Sequence, residues 1–322
     1  MENLNEEFYR RFIQVLKATV PERGELSKML PKILNIEKMS VYRRLRGEIP
    51  FTFAEIIVIA RQLNISLDNI LDITSPYRSL PFSLHFQDYF NLNEMDYKMS
   101  EDYIKVIKAT SNNPHSEFGF VSNILPLHAI ANYPPIFQFF LMKWMYQFGN
   151  TNKMTPYSEI HIPEKLGKLH KEYIEAVMNI KYTFFIFHGF ALQELIHDIL
   201  YFKAIHLLTE EDVDLLKKCL HEALNMLENL AINGAFSNGN KIDIYVSGLS
   251  IETSYVYLSS ENINISMIDA YTLGAVTSLD ADSIEIMKKW MQSIKRTSTI
   301  ITGFEKNRIE FIKKQMQFLE EI

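Results

Sequence analysis

Residues 26–71 read LSKMLPKILNIEKMSVYRRLRGEIPFTFAEIIVIARQLNISLDNIL. The first segment, Leu26–Leu34, is short and apolar, and turn-like residues (Asn-Ile-Glu) follow it. The next segment, 38–47, is basic and ends in glycine, the residue most often found just past the end of a helix. Two short helices joined by a tight turn are therefore predicted here.

The flanking residues continue the helical pattern. Thr52 and Glu55 have the spacing of a capping box, in which the side chain of each residue bonds to the backbone N–H of the other. Ser66 can cap a last short turn. Upstream, residues 4–18 carry an apolar stripe at the helical period, which predicts a first helix. Residues 1–75 are thus predicted to form a domain of five short helices.

This layout resembles the Cro/CI-type (XRE-like) family of helix-turn-helix DNA-binding domains, in which the recognition helix ends in a glycine before two further helices. Gly47 matches that glycine, and Val41 matches the apolar residue that precedes it by six positions. Pro31 departs from the family pattern, because a small helix former is usual there and proline removes a backbone donor. The first helix of the pair is therefore expected to be kinked or to restart at Lys32. The resemblance covers roughly a fifth of the chain by length.

The resemblance implies that the second helix of the pair enters the major groove of double-stranded DNA. The family's DNA-contacting positions fall on six residues: Lys38, Met39, Tyr42, Arg43, Arg44 and Arg46. The first four face the bases in the family, Arg46 matches a phosphate-contacting position, and Arg44 falls where an apolar residue is more usual. The alternative is that the arginines only solvate a surface helix.

The composition is that of a globular protein, with 322 residues of which 47% are hydrophobic and 22% charged. Cys219 is the only cysteine, so the chain cannot form an internal disulfide, which suits a reducing cytoplasm. The amino terminus lacks the apolar core of a signal peptide. The most apolar runs, 129–148 and 182–202, contain polar or charged residues, and both are predicted to be buried core helices rather than membrane spans. A cytoplasmic location without membrane contact is expected.

The charge is distributed unevenly along the chain. Residues 1–75 contain 11 Lys and Arg against 10 Asp and Glu, whereas the remainder contains 22 against 29, for a total of −6. A weakly basic module on an acidic body suits a DNA-binding protein, because the body is not drawn to phosphates. Ordinary solubilising charge would give the same numbers.

Beyond residue 75 the sequence predicts a connecting segment, 76–98, and then a mainly helical body, 99–322. Helices are predicted at 99–108, 121–131, 135–148, 163–180, 190–207, 210–232, 280–295 and 301–320. Three β-prone runs predict a small antiparallel three-stranded sheet: 241–249, 254–259 and 263–276. The expected fold class is mainly α, with an α+β tail over about residues 240–322.

The tail carries a second resemblance. The segments GNKIDIYVSG, SYVYLSS and WMQSIKRTSTIITGFEKNRIEF are similar to the carboxy-terminal region of helix-turn-helix regulators common in Bacteroidetes. The resemblance favours a bacterial regulator and implies no ligand.

The chain contains no complete catalytic or metal-binding pattern in its sequence. Glu194 and His197 have the Glu-x-x-His spacing of di-iron helical bundles, but the second copy that such sites need is absent. His188, His197 and His206 recur at a spacing of nine residues, which places successive side chains about half a turn out of phase. Phosphate-loop and hydrolase motifs are also absent. No catalytic residue, metal or cofactor is expected, and the protein is not expected to be an enzyme.

Aromatic side chains of the body admit two interpretations. They could line a pocket for a small-molecule or peptide effector, or they could form the core of the body. The residues concerned are Phe137, Phe139, Phe140, Trp144, Phe184, Phe185, Phe187, Phe190, Tyr201 and Phe202.

The predicted function is sequence-specific, DNA-binding regulation of transcription. The carboxy-terminal region would serve dimerisation, effector sensing or both. A homodimer is expected because a single small module buries little DNA surface, and two-fold operators are the usual remedy. The alternative is a protein-interaction adaptor whose helix-turn-helix module does not read DNA.

Overall fold

The computed structural model describes residues 2–20, 24–63, 65, 67, 70, 82–86, 93–125, 133–148, 155–271 and 274–322. The first helices in these ranges are α1 (Glu2–Thr19), α2 (Leu26–Leu34), α3 (Lys38–Leu45) and α4 (Phe53–Gln62). They lie where the sequence predicts them. Ser66, the predicted cap of a last short turn, lies outside the described residues.

Helices α1 to α4 surround one apolar core. The side chains of Phe12, Leu16, Leu30, Val41 and Ile59 are fully buried in it, and they come from all four helices. Each helix therefore turns one apolar face inward, as the spacing of its apolar residues predicts.

Pro31 lies inside α2, which is one helix from Leu26 to Leu34. The predicted restart at Lys32 is therefore wrong. Proline has no N–H to donate to the preceding turn, but its carbonyl accepts a hydrogen bond from the N–H of Ile36 at 3.2 Å. Asn35 ends the helix in the left-handed conformation, with φ at 52°.

The chain beyond α4 is built on a mixed sheet of eight described strands: β1 (Ser83–Phe86), β2 (Glu117–Ser122), β3 (Tyr182–His188), β4 (Lys241–Ser247), β5 (Tyr255–Ser259), β6 (Asn264–Tyr271), β7 (Gly274–Ser278) and β8 (Thr299–Ile300). Across the sheet they lie in the order β1-β7-β6-β5-β2-β3-β4-β8. The predicted mainly α fold with a small three-stranded sheet is therefore wrong.

The middle of the sheet is parallel, since β3 pairs in parallel with both β2 and β4. Parallel neighbours need long crossover connections, and helices supply them here. The helices of this part are α5 (Glu94–Ser111) before β2, α6 (Pro134–Phe148) and α7 (Glu164–Met178) between β2 and β3, and α8 (Ala191–Ala204) and α9 (Glu210–Asn233) between β3 and β4. A short 3₁₀ turn, Tyr157–Glu159, precedes α7.

Two predicted helical regions contain strands. Residues 121–122, at the start of the predicted helix 121–131, end β2, and residues 126–131 lie outside the described residues. The run 182–202, predicted to be a buried helix, begins with β3, in which the residues from Thr183 to Phe187 are all buried. A strand covered on both faces is apolar throughout, so hydrophobic periodicity cannot separate it from a buried helix.

The three predicted β-prone runs are strands, but their pairing differs from the prediction. The run 241–249 contains β4, which pairs with β3 and β8 and not with β5. Strand β5 pairs with β2 instead, and the run 263–276 contains two strands, β6 and β7. Local alternation identifies a strand, whereas the partner depends on segments more than 100 residues upstream.

The predicted connecting segment 76–98 contains two elements of this fold. Ser83–Phe86 is the edge strand β1, which pairs with β7, and residues 94–98 open α5. The other residues of the segment, apart from 82 and 93, lie outside the described ranges.

The two faces of the sheet have different covers. Helices α5 to α9 and α11 (Glu305–Leu319) pack on one face of the sheet. The core between them and the sheet includes Phe185 of β3. Helix α10 (Ala281–Thr297) covers the opposite face, where its Met291 packs in a smaller core with Phe184.

The aromatic residues that could line either a pocket or the core of the body lie mainly in the hydrophobic cores. At most 8% of the residue surface is exposed for Phe137, Phe139, Phe140, Phe184, Phe185, Phe187 and Phe202. Trp144 packs against the same core, and Phe190 and Tyr201 are exposed. The core interpretation is therefore confirmed for the seven buried rings.

Candidate nucleic-acid interface

Helix α3 is held between two defined turns. A turn of three residues follows α2, from the left-handed Asn35 to the extended Glu37 that precedes α3. At the other end Gly47 has φ at 79°, a conformation that favours glycine. The N–H of Glu48 then bonds to the carbonyl of Arg43 at 2.9 Å. The prediction that α3 ends at Gly47 is confirmed.

One side of α3 is open to solvent. It carries five of the predicted residues: Lys38, Met39, Tyr42, Arg43 and Arg46. These positions share one face of a helix because they are spaced by one, four, five and eight residues from the first. Met39 is 67% exposed, and the side chains of Arg43 and Arg46 are 55% and 73% exposed. This face, called here the α3 face, combines three cations with a thioether and a phenol.

Tyr42 connects the α3 face to α2. Its hydroxyl donates to Oγ of Ser27 at 3.3 Å, and the Nζ of Lys38 lies 5.8 Å from the centre of its ring. The ring is therefore positioned relative to α2 and beside a cation.

The acidic residue Glu48 lies beside the two arginines of the α3 face. Its carboxylate is 3.3 Å from Nε of Arg43 and 3.7 Å from Nη1 of Arg46. Both pairs are exposed, so their contribution to folding stability is small. Their consequence is electrostatic, because Glu48 offsets part of the positive charge that phosphates would meet.

Arg44 differs from the other five candidates because its side chain is mostly buried. Its Nε and Nη2 donate to the two carboxylate oxygens of Glu55 at 3.2 and 3.0 Å. The two side chains are 15% and 16% exposed. The pair joins α3 to α4 in bidentate geometry, which fixes orientation as well as distance. The geometry thus gives Arg44 a role in holding α3, and direct contact with DNA stays a prediction for all six residues.

Residues of α1 and of the α3–α4 connection support the same pair. The hydroxyl of Tyr9 donates to the carbonyl of Arg44 at 2.8 Å, and burial raises the pKa of this phenol. The guanidinium of Arg44 lies 5.9 Å from the centre of the Phe51 ring. The inner side of α3 is therefore held by polar bonds as well as by Val41 in the core.

Glu55 has two tasks. It completes the predicted capping box, in which it accepts from the N–H of Thr52 at 2.7 Å and the N–H of Glu55 donates to the Thr52 hydroxyl at 3.2 Å. Burial alone would raise the pKa of this carboxyl. The hydrogen bonds from Thr52 and Arg44, together with the charge of Arg44, outweigh it and hold the pKa below its usual value. The capping-box prediction is confirmed.

Sequence reasoning did not identify three residues that act on α3: Tyr9, Glu48 and Glu55 as a partner of Arg44. Only Glu55 carried a signal, its position in the capping box. An ion pair between residues eleven positions apart depends on the packing of two helices, and no local pattern encodes it.

The candidate metal ligands of the sequence do not lie together in a group suited to a metal. No group of three or more His, Cys, Asp or Glu side chains suited to a metal occurs among the described residues. Glu194 and His197 are exposed on α8, whereas the ring of His188 lies beside that of Phe190 in a tilted arrangement, with ring centres 5.4 Å apart. None of the helices in the described ranges has the length and apolarity needed to cross a bilayer.

The helix pair α2–α3, supported by α1 and α4, defines a helix-turn-helix domain with one cationic helix face. Residues 3–106 match the family model of the BetR domain, a helix-turn-helix type of DNA-binding domain. The match covers about a third of the 322 residues. Searches of curated proteins and of solved structures gave no match. The Cro/CI-type assignment and the bacterial group stay predictions.

Proposed function

We propose that the chain is a cytoplasmic, sequence-specific regulator of transcription that reads the major groove with the α3 face. The proposal rests on the position of Lys38, Arg43 and Arg46 on the solvent-exposed side of α3. The opposite side of α3 is fixed by the Arg44–Glu55 pair and by Val41 in the core. An α-helix fits the major groove, and arginine can bond guanine through two parallel hydrogen bonds. The match of residues 3–106 to a DNA-binding domain family supports the same use.

The residues of the α3 face would have different tasks. Arg43, Tyr42, Met39 and Lys38 would meet base edges, where Met39 offers an apolar contact to thymine methyl groups. Arg46, beyond the last turn of α3, would contact a phosphate, which positions the helix without reading sequence. The protein would act as a homodimer, because two half-sites double the DNA surface that is bound.

The proposal is tested by selecting bound oligonucleotides from random DNA with the full chain. A recurrent sequence is expected. Arg43→Ala should then cost about 1–3 kcal/mol on the selected site and relax the preference at one base position. Arg46→Ala should weaken binding to all sequences and lower the salt dependence by about one counterion.

Lys313→Ala is the matched control, because it removes one exposed cation from α11. It should leave affinity and preference unchanged. If no sequence is enriched, or if Arg43→Ala behaves like Lys313→Ala, the assignment of the α3 face fails.

The adaptor alternative has one observation in its favour. Helix α4 exposes three apolar side chains on one side, Phe53, Ile57 and Val58, at 72%, 42% and 45%. Exposed apolar residues that cluster suit contact with a protein. The same selection separates the two functions, because an adaptor would enrich no DNA sequence.

A further inference from the structure

A groove runs along α9 on the helical side of the sheet. It has a volume of about 580 Å³, within the range of ligand-binding clefts. It is lined by a face of α9 from Glu222 to Asn233, by Tyr133 and by residues 235–237. This α9 groove is separate from the α3 face and has no role in the proposed reading of DNA.

Three asparagines stand in a row along the helix wall of the groove: Asn225, Asn229 and Asn233. All three are exposed, and their side-chain amides form no hydrogen bond with the described residues. Each amide offers both donors and an acceptor. Since the row repeats every four residues, the amides recur at about 6 Å along the helix axis.

This spacing suits an extended polypeptide. A strand advances about 3.3 Å per residue, so one edge of its backbone presents an N–H and C=O pair about every 6.7 Å. Consecutive asparagine amides can therefore meet alternate residues of one backbone, with each amide donating to a carbonyl and accepting from an N–H. From Glu222 to Asn233 the helix rises about 16 Å, the length of about five extended residues.

The remaining lining residues define the character of the ligand. Met226 and Leu230 are partly buried and Phe236 is buried, so the groove has an apolar floor. Glu222 forms no ion pair with the described residues. Burial raises the pKa of the nearby Tyr133 phenol, and the charge of Glu222 raises it further. No Lys or Arg belongs to the described lining. The groove therefore favours a ligand with a cation and disfavours an anion such as a nucleic acid.

We propose that the α9 groove binds an extended peptide segment of about five residues, with its backbone on the asparagine row and a basic group beside Glu222. A neutral carbohydrate also bonds to amides, but it has no cationic group to place beside Glu222. The peptide assignment follows from the row, and the preference for a basic residue follows from Glu222.

The probe is a library of N-acetylated, C-amidated pentapeptides with lysine at either end and the other positions varied. The library is screened with the full chain, and selected peptides are measured by calorimetry. Asn229→Ala should weaken binding about tenfold, the effect of losing a pair of hydrogen bonds. Methylating the backbone nitrogens that face the asparagine row should abolish binding. Methylating the nitrogens that alternate with them should leave binding unchanged.

Glu222→Gln should remove the preference for lysine over norleucine at the end position, while the neutral peptide binds as before. Asn262→Ala is the control, because Asn262 is exposed in the turn between β5 and β6. Each Asn→Ala change on α9 raises helix propensity, so the variants should fold. Equal peptide binding by the Asn225→Ala, Asn229→Ala, Asn233→Ala triple variant would overturn the proposal. Binding of maltopentaose with no selected peptide would overturn it as well.

Discussion

At the scale of single residues, the α3 face has an acidic neighbour whose charge opposes anion binding. Glu48 lies within 4 Å of both Arg43 and Arg46, and all three side chains are about half exposed or more. In solution this arrangement contributes little to stability. Against DNA, the same carboxylate repels phosphates and competes for the arginines.

Glu48→Gln should therefore strengthen DNA binding two- to fivefold at low salt, with a smaller gain at high salt because screening already weakens the repulsion. The measurement is a salt titration of affinity for the selected site. Glu321→Gln, which removes an exposed carboxylate near the carboxy terminus, is the control. A gain of the same size in both variants would mean that net charge acts, and not Glu48.

The ion pair of Arg44 and Glu55 should contribute to folding stability through its bidentate hydrogen bonds as well as through charge. Arg44→Met leaves a mostly buried carboxylate without its cation and should cost about 1–3 kcal/mol, below the value for fully buried pairs because water reaches both groups. A double-mutant cycle with Glu55→Gln, followed by urea denaturation, should give a coupling of about 1–2 kcal/mol. A coupling near zero would mean that the bidentate bond does not hold α3.

The same pair should respond to pH in one direction. The pKa of Glu55 is lower in the folded chain than its ordinary value of 4.5. Its stabilising contribution is therefore complete above the ordinary pKa and is lost as the pH falls through the folded pKa. The coupling measured at pH 7 should shrink at pH 3, and an unchanged coupling would contradict the assignment.

At the scale of elements, the centre of the sheet depends on one close approach. A Cβ atom at Gly119 of β2 would lie 2.6 Å from the Tyr257 ring and 2.7 Å from the Phe184 ring. Both rings are almost fully buried, and they pack edge to face with centres 5.8 Å apart. Strands β2, β3 and β5 can share this face only because glycine leaves room for the two rings.

Gly119→Ala should destabilise the sheet by about 1–3 kcal/mol, because neither ring can move without disturbing the core. Gly167→Ala makes the same chemical change in α7, where the nearest atom to the new Cβ lies at an ordinary 3.5 Å. It should stabilise the protein by about 0.5–1 kcal/mol through helix propensity. Chemical denaturation of both variants checks the two signs, and equal effects would refute the packing argument.

Helices were the elements that local sequence predicted best. The predicted capping box at Thr52 and the predicted glycine end at Gly47 both lie at helix boundaries in the structure. These signals depend on residues within one helical turn of each other, so they can be recognised in the sequence alone. The pairing of β4 with β3, by contrast, joins segments separated by two helices.

At the scale of the whole molecule, the apolar residues form separate cores. The core of α1 to α4 shares no residue with the two cores of the sheet-containing part. Cores that do not share side chains can unfold in separate steps. We expect calorimetry of the full chain to show two transitions.

The single-residue variants identify the transitions. Arg44→Met should lower the midpoint of one transition, and Gly119→Ala should lower the midpoint of the other. If one transition carries both shifts, the two parts unfold together. That result would also contradict the predicted division at residue 75.

The sequence by itself determined the helix-turn-helix segment, the basic character of α3 and most helix boundaries, because capping residues, glycine ends and apolar stripes act over a few neighbouring residues. Only the tertiary structure decided that Arg44 turns inward to Glu55 while Arg43 stays open, since that choice depends on how α3 meets α4. It likewise decided that β2 and β3 are central strands of a mixed sheet. A strand buried on both faces loses the alternation that marks strands in a sequence, and its partners are set by packing over the whole chain.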